Sequence, residues 1–176
     1  PRIKRSAANT VRDRVVAEKC VTGSSMKEHR INGRRCIRIG QWNVRGLNAL
    51  GKLSILSSEL ERLNISICGL SETKWSSAGH FTTLDGHTIL YSGGEGREHH
   101  GAAIWVHRSV APCLMSYNAV SNRVISATFA AKPRDVTVVQ CYAPTADKTD
   151  DEIDDFYKQL DHALAEISKR NLILIT

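Results

Sequence analysis

Two residues with oxygen donors stand where a strand-like run gives way to a turn. Asn43 closes Arg38-Ile39-Gly40-Gln41-Trp42-Asn43, ahead of Val44-Arg45-Gly46-Leu47. About thirty residues on, Glu72 follows Ile65-Ser66-Ile67-Cys68-Gly69-Leu70-Ser71 and leads into Thr73-Lys74-Trp75. In layered α/β proteins, ligands collect at the carboxyl ends of strands. A carboxamide oxygen and a carboxylate at such ends suit a hard divalent cation, Mg²⁺ or Mn²⁺, which takes oxygen ligands and keeps several waters. Each residue has a plainer alternative. Asn43 could cap the turn after it, and Glu72 could be a surface acid beside Lys74.

The elements between them argue for a shared site. Leu53, Leu56, Leu60 and Leu63 recur at steps of three, four and three, with Glu59, Glu61 and Arg62 between them. That spacing predicts one apolar face of a helix, with Asn64 as its stop. Strand, helix, strand in this order implies a parallel pair, which would bring Asn43 and Glu72 to one edge.

Further along, Leu84-Asp85-Gly86-His87 predicts a turn with Thr88–Ser92 extended after it, and Gly93–Glu98 a mobile loop. A buried strand is expected at Ala102–His107. The runs Arg123–Ala131 and Val136–Tyr142, joined by Lys132-Pro133-Arg134-Asp135, predict a hairpin. Thr149-Asp150-Asp151-Glu152 fits a capping box. It opens a helix striped with Ile153, Phe156, Tyr157, Leu160, Leu164 and Ile167, with Lys169-Arg170 in the last turn. The acids from Asp147 to Asp155 therefore read as a helix start rather than a metal cluster. Leu172–Thr176 begins a buried strand. Trp75 and Trp105 read as core aromatics.

The 176 residues are 41% hydrophobic, enough for one domain with a substantial core. No apolar run approaches the ~20 residues of a membrane span, and no signal peptide is visible. Five cysteines without a C-x-x-C pair read as reduced thiols of a nuclear or cytoplasmic protein, not a secreted one, with Cys36, Cys68 and Cys141 in the core. Residues 1–38 hold eleven Lys/Arg against three acids, while the remainder holds thirteen against fifteen. Residues 1–35 therefore read as a flexible basic leader suited to phosphate attraction or simply to solvation. Residues 36–176 read as the folded body.

The motifs Trp42-Asn43-Val44-Arg45-Gly46, Glu72-Thr73-Lys74-Trp75, His100-Gly101-Ala102-Ala103 and Tyr142-Ala143-Pro144-Thr145, in that order, resemble the endonuclease/exonuclease/phosphatase superfamily. That group holds apurinic/apyrimidinic endonucleases, DNase I and inositol polyphosphate 5-phosphatases. The likeness is greatest to the endonuclease domain of RTE/BovB-type non-LTR retrotransposons, a group that includes craniofacial development protein 2-like chains. The resemblance implies part of a four-layer α/β sandwich, a mixed β-sheet flanked by helices. It makes Asn43 and Glu72 metal ligands and puts Tyr142 near the scissile phosphate. Together these three would form the catalytic set, with Lys74, Arg123 and Arg45 on the DNA. In the family, the strand matching Leu172–Ile175 leads into Gly-Asp-x-Asn, and Ser-Asp-His follows later; neither lies within these residues. The expectation is thus the N-terminal half of the domain, holding mainly one sheet whose inward apolar face would meet water.

Two functions follow from the resemblance. One is a Mg²⁺-dependent endonuclease that nicks DNA, weakened by the missing motifs; the form Glu72-Thr73-Lys74 favours this over phosphoinositide hydrolysis. The other is an inactive remnant that binds nucleic acid or another partner. His99, His100 and His107 are conceivable replacements for the missing base. Tyr142 has the competing role of a buried core tyrosine. The oligomeric state is left open.

Overall fold

The computed structural model describes residues 29–32, 36–94 and 100–176. Its strands are Ile31–Asn32 (β1), Ile39–Asn43 (β2), Ile67–Ser71 (β3), Ala78–Thr82 (β4), Thr88–Ser92 (β5), Ala102–Val106 (β6), Leu114–Ser121 (β7), Val124–Phe129 (β8), Ala131–Lys132 (β9), Val136–Cys141 (β10) and Leu172–Ile175 (β11). The helices are Lys52–Arg62 (α1) and Asp150–Ala165 (α2), with a short 3₁₀ turn at Ala111–Cys113.

The expected β-α-β unit forms as its spacing requires. Leu56 and Leu60 of α1 are buried, and Asn64 turns left-handed at φ 54° to end the helix. β2 and β3 then pair in parallel, with Asn43 opposite Ser71. They open a five-stranded sheet ordered β2-β3-β6-β5-β4. The predicted hairpin of β8 and β10 also forms, and it sits in a second sheet ordered β11-β10-β8-β7.

Three apolar layers hold the two sheets and two helices together. Ile67, Leu90 and Ile104 of the first sheet meet Ile125, Phe129 and Val138 of the second. On the outer face of the first sheet, Leu47, Leu56 and Leu60 pack on Leu70, Ile89 and Trp105. On the outer face of the second, Phe156 and Ala163 of α2 pack on Val124 and Val139. The order helix, sheet, sheet, helix is the four-layer arrangement expected from the resemblance.

Several expectations need correction. The inward face of the first sheet does not meet water, because the second sheet covers it. Most of that cover comes from Ile125, Ala127 and Phe129 of β8 and Val138 of β10, with Tyr117 of β7 beside them. Cys36 is exposed and precedes β2, whereas Cys68 is buried, its thiol pushed up to about 12 by desolvation. α2 ends at Ala165, so Lys169 and Arg170 lie beyond its last turn, and Tyr157 of the apolar stripe is 57% exposed. Ile31 and Asn32 pair with Ala131 and Lys132, and Ile31 packs against the inter-sheet core. The folded body thus reaches into the segment read as leader. The remainder of that leader, residues 1–28 and 33–35, and most of the Gly93–Glu98 loop lie outside the described residues.

Candidate active site

Pairing continues past the strand ends and fixes where Glu72 points. Gly46 N–H donates to Glu72 O at 2.7 Å and Leu47 N–H to Thr73 O at 2.9 Å. On the other side Thr73 N–H donates to Gly101 O at 3.1 Å and Lys74 N–H to His100 O at 3.0 Å. Between these bonds Glu72 and Lys74 adopt φ 58° and 61°, a region costly for residues with a Cβ. Gly101 is required where it stands: its φ is +121°, and a Cβ there would lie 2.4 Å from Thr73 Oγ1.

Three side chains converge. Asn43 Nδ2 donates to Glu72 Oε1 at 2.7 Å, and Tyr142 O–H donates to the same oxygen at 2.8 Å. Asn43 Oδ1 accepts from Arg45 N–H at 3.2 Å. The hydrogen bond from Asn43 holds the Glu72 carboxyl below its ordinary range; the bond from Tyr142 and the charges of Lys74 and Arg45 act in the same direction. Tyr142 shifts the opposite way. Burial, then the bond to anionic Glu72, raises its phenol, although Arg123 pulls against this. Glu72 is therefore an anion and Tyr142 a neutral donor at neutral pH.

Arg123 is drawn into the cluster. Its Nη1 donates to Tyr142 O at 3.0 Å, its Nη2 lies 2.8 Å from His100 Nε2, and the guanidinium sits 5.3 Å from the Tyr142 ring centre. Lys74 and Arg45 are exposed beside it and form no ion pair with Glu72 among the described residues. Of the histidines conceivable as a base, His100 reaches the cluster, its ring 5.8 Å from Tyr142. His107 lies at the opposite end of β6, and His99 falls outside the described residues.

Beneath the cluster runs a buried polar bridge that no sequence signal announced. Gln140, fully buried on β10, donates from Nε2 to Ser71 Oγ of the other sheet at 2.9 Å. Its Oε1 accepts from Thr176 Oγ1 at 2.9 Å. A Cβ at Gly69 would lie 1.8 Å from that oxygen, so only glycine fits under the amide. The bridge sits one residue before Glu72 and two before Tyr142.

A second group of ligand-type residues, Glu61, His87 and His107, lies at the far edge of the first sheet. Its hydrogen bonds oppose a metal reading. His87 Nδ1 accepts from Arg108 N–H and His107 Nδ1 from Ser109 N–H, both at 3.2 Å. Each neutral ring then carries its proton on Nε2, which faces Glu61 Oε1 at 3.3 and 3.5 Å. A ligating histidine would instead donate from its second nitrogen. Arg108 Nη1, 2.5 Å from the same oxygen, adds a further donor. The group holds a carboxylate.

The strand order and layers are those of the endonuclease/exonuclease/phosphatase fold, as the motifs implied. An AP endonuclease from Archaeoglobus fulgidus superposes with a TM-score of 0.56 at 19% identity, over 80% of this chain and 56% of that one. The endonuclease domain of TRAS1, a telomere-specific non-LTR retrotransposon, gives 0.52 at 17% identity, over 80% and 58%. In sequence the chain is similar to craniofacial development protein 2 of Bos taurus, 39% identical over 137 residues. That match takes in 78% of this chain and 23% of the relative, so the chain spans about a quarter of the relative's length. No protein-family model matches the chain.

Proposed function

We propose that Asn43 and Glu72 hold a divalent cation, Mg²⁺ or Mn²⁺, and that the cluster serves hydrolysis of a DNA phosphodiester. The observation that carries this reading is the convergence of Asn43 and Tyr142 on one Glu72 oxygen, across residues far apart in the chain. The donors fit such an ion. Glu72 is kept ionised, and among the described residues its Oε2 makes no hydrogen bond. A carboxylate and a carboxamide oxygen are hard ligands that leave room for water. When bound, the cation would offset charge on the phosphoryl oxygens.

The remaining roles follow from charge and reach. Arg45 and Lys74, exposed at the rim, attract the phosphate backbone. Tyr142 presents a neutral O–H that can turn from Glu72 to a phosphoryl oxygen, and Arg123 holds the Tyr142 ring and backbone in place. In the reaction a water oxygen bonds to phosphorus, one P–O ester bond breaks, and the leaving oxygen takes up a proton. Similarity to an AP endonuclease and to the TRAS1 endonuclease domain supports DNA as the partner. Among the described residues Glu72 is the only acid hydrogen-bonded within the cluster, so nicking by these 176 residues alone should be slow.

Incubation with supercoiled plasmid and Mg²⁺ or Mn²⁺, alongside calorimetric titration with Mn²⁺, tests this. Slow nicking and cation binding, both lost in Asn43→Ala and Glu72→Ala, support the reading. Wild-type protein that binds no Mn²⁺, or binding untouched by both changes, overturns it.

A further inference from the structure

Next to the Asn43–Glu72–Tyr142 cluster lies a groove of about 520 Å³, lined by Asn48, Lys74, Trp75, Ser76, Ser77, Phe81 and Tyr91. Its chemistry is mixed. Trp75, Phe81 and Tyr91 form a mutually packed aromatic wall, with ring centres 5.6 to 6.0 Å apart. Phe81 keeps 37% of its surface exposed. Lys74 supplies a cation at the rim; Asn48, Ser76 and Ser77 supply amide and hydroxyl groups. An aromatic wall beside a cation suits a base with its phosphate.

The groove is also held rigid in an unusual backbone conformation. Glu72, Lys74 and Ser77 all have positive φ, at 58°, 61° and 63°. Such strain persists where the surroundings over-determine it, and it gathers at ligand sites. Here Asn48 Nδ2 donates to Lys74 O at 3.0 Å, and Gly93 N–H donates to Ser77 O at 2.6 Å. Gly93 passes so close that a Cβ on it would lie 1.9 Å from Trp75 O. A shaped pocket needs no ordering when its ligand arrives.

We propose that this groove is a binding subsite for one unpaired nucleotide of a DNA strand, with the base against the Phe81 and Trp75 wall and a phosphate at Lys74. The inference deepens the nuclease reading by placing a nucleotide beside the proposed scissile position. Stacking on an aromatic wall needs a base free of its duplex neighbours, so single strands and extrahelical bases are favoured over intact duplex.

The test compares two labelled oligomers of about ten nucleotides, oligothymidylate and its fully abasic counterpart, by fluorescence anisotropy in buffer with chelator. Both carry the same phosphates, so the basic residues of the chain attract them alike. Oligothymidylate should bind roughly tenfold tighter. Phe81→Ala should remove that difference, and Phe81→Tyr should keep it. Ser76→Phe, which fills the groove from an exposed position without removing a packed side chain, should also remove it, and guards against Phe81→Ala unfolding. Equal affinity for the two oligomers in the wild type overturns the subsite, as does a preference that survives Ser76→Phe. Absence of metal binding or nicking with the preference intact would sink the nuclease reading and leave the subsite standing.

Discussion

Gln140 and Ser71, 69 residues apart and on different sheets, share a buried 2.9 Å hydrogen bond directly under the candidate site. It is a polar clamp between the two sheets, and both its ends lead straight into site residues, Ser71 into Glu72 and Gln140 through Cys141 into Tyr142. Replacing Gln140 by Leu strands the buried Ser71 hydroxyl, at a cost of about 1–3 kcal/mol, while Thr176 keeps its longer bond to Val139 O. Denaturant unfolding should register that loss, and the Tyr142–Glu72 contact should loosen with it. Unchanged stability would mean that the clamp contributes nothing.

Tyr142→Phe removes one of the two hydrogen bonds that hold the Glu72 carboxyl low, so Glu72 should titrate at higher pH in the variant. The sign for stability follows. A carboxyl depressed below 4.5 contributes stability that is present above that pH and lost as pH falls through the folded value. In Tyr142→Phe the loss should still begin near the unfolded value of 4.5, but it should be smaller and finish at a higher pH. Carbon-13 NMR of the glutamate carboxyls reads the shift; an unmoved Glu72 resonance would count against the bond.

His87 is fully buried against Trp105, ring centres 4.6 Å apart, and desolvation lowers it below the ordinary 6.5 while Glu61 pulls the other way. The unfolded chain therefore binds the proton more readily. Stability tied to His87 is complete above pH 6.5 and declines as pH falls toward the folded value. Melting temperatures across that window should drop in the wild type and change less in His87→Asn. A flat wild-type profile would contradict the burial argument.

Thr149 caps α2 as a true capping box: its Oγ1 accepts from Glu152 N–H at 3.3 Å, while Glu152 Oε2 accepts from Thr149 N–H at 3.1 Å. Thr149→Ala should cost about 1 kcal/mol, measured by chemical denaturation. Because α2 covers the outer face of the second sheet and Thr149 makes no hydrogen bond to Asn43, Glu72 or Tyr142 among the described residues, divalent-cation binding should be unaffected.

The amino-acid order alone determined what short-range physics governs. Leucine spacing fixed α1 and its Asn64 stop, the β-α-β order fixed the parallel pair with Asn43 opposite Ser71, and Thr149 with Glu152 fixed the start of α2. Tertiary structure decided what depends on partners distant in the chain. That Tyr142 reaches Glu72, that Gln140 stitches two sheets above Gly69, and that β7 joins a second sheet sealing the core all arise where separate layers meet. No local period encodes such meetings. Gln140, between Val139 and Cys141, carries no local signal until the opposing sheet supplies the Ser71 hydroxyl.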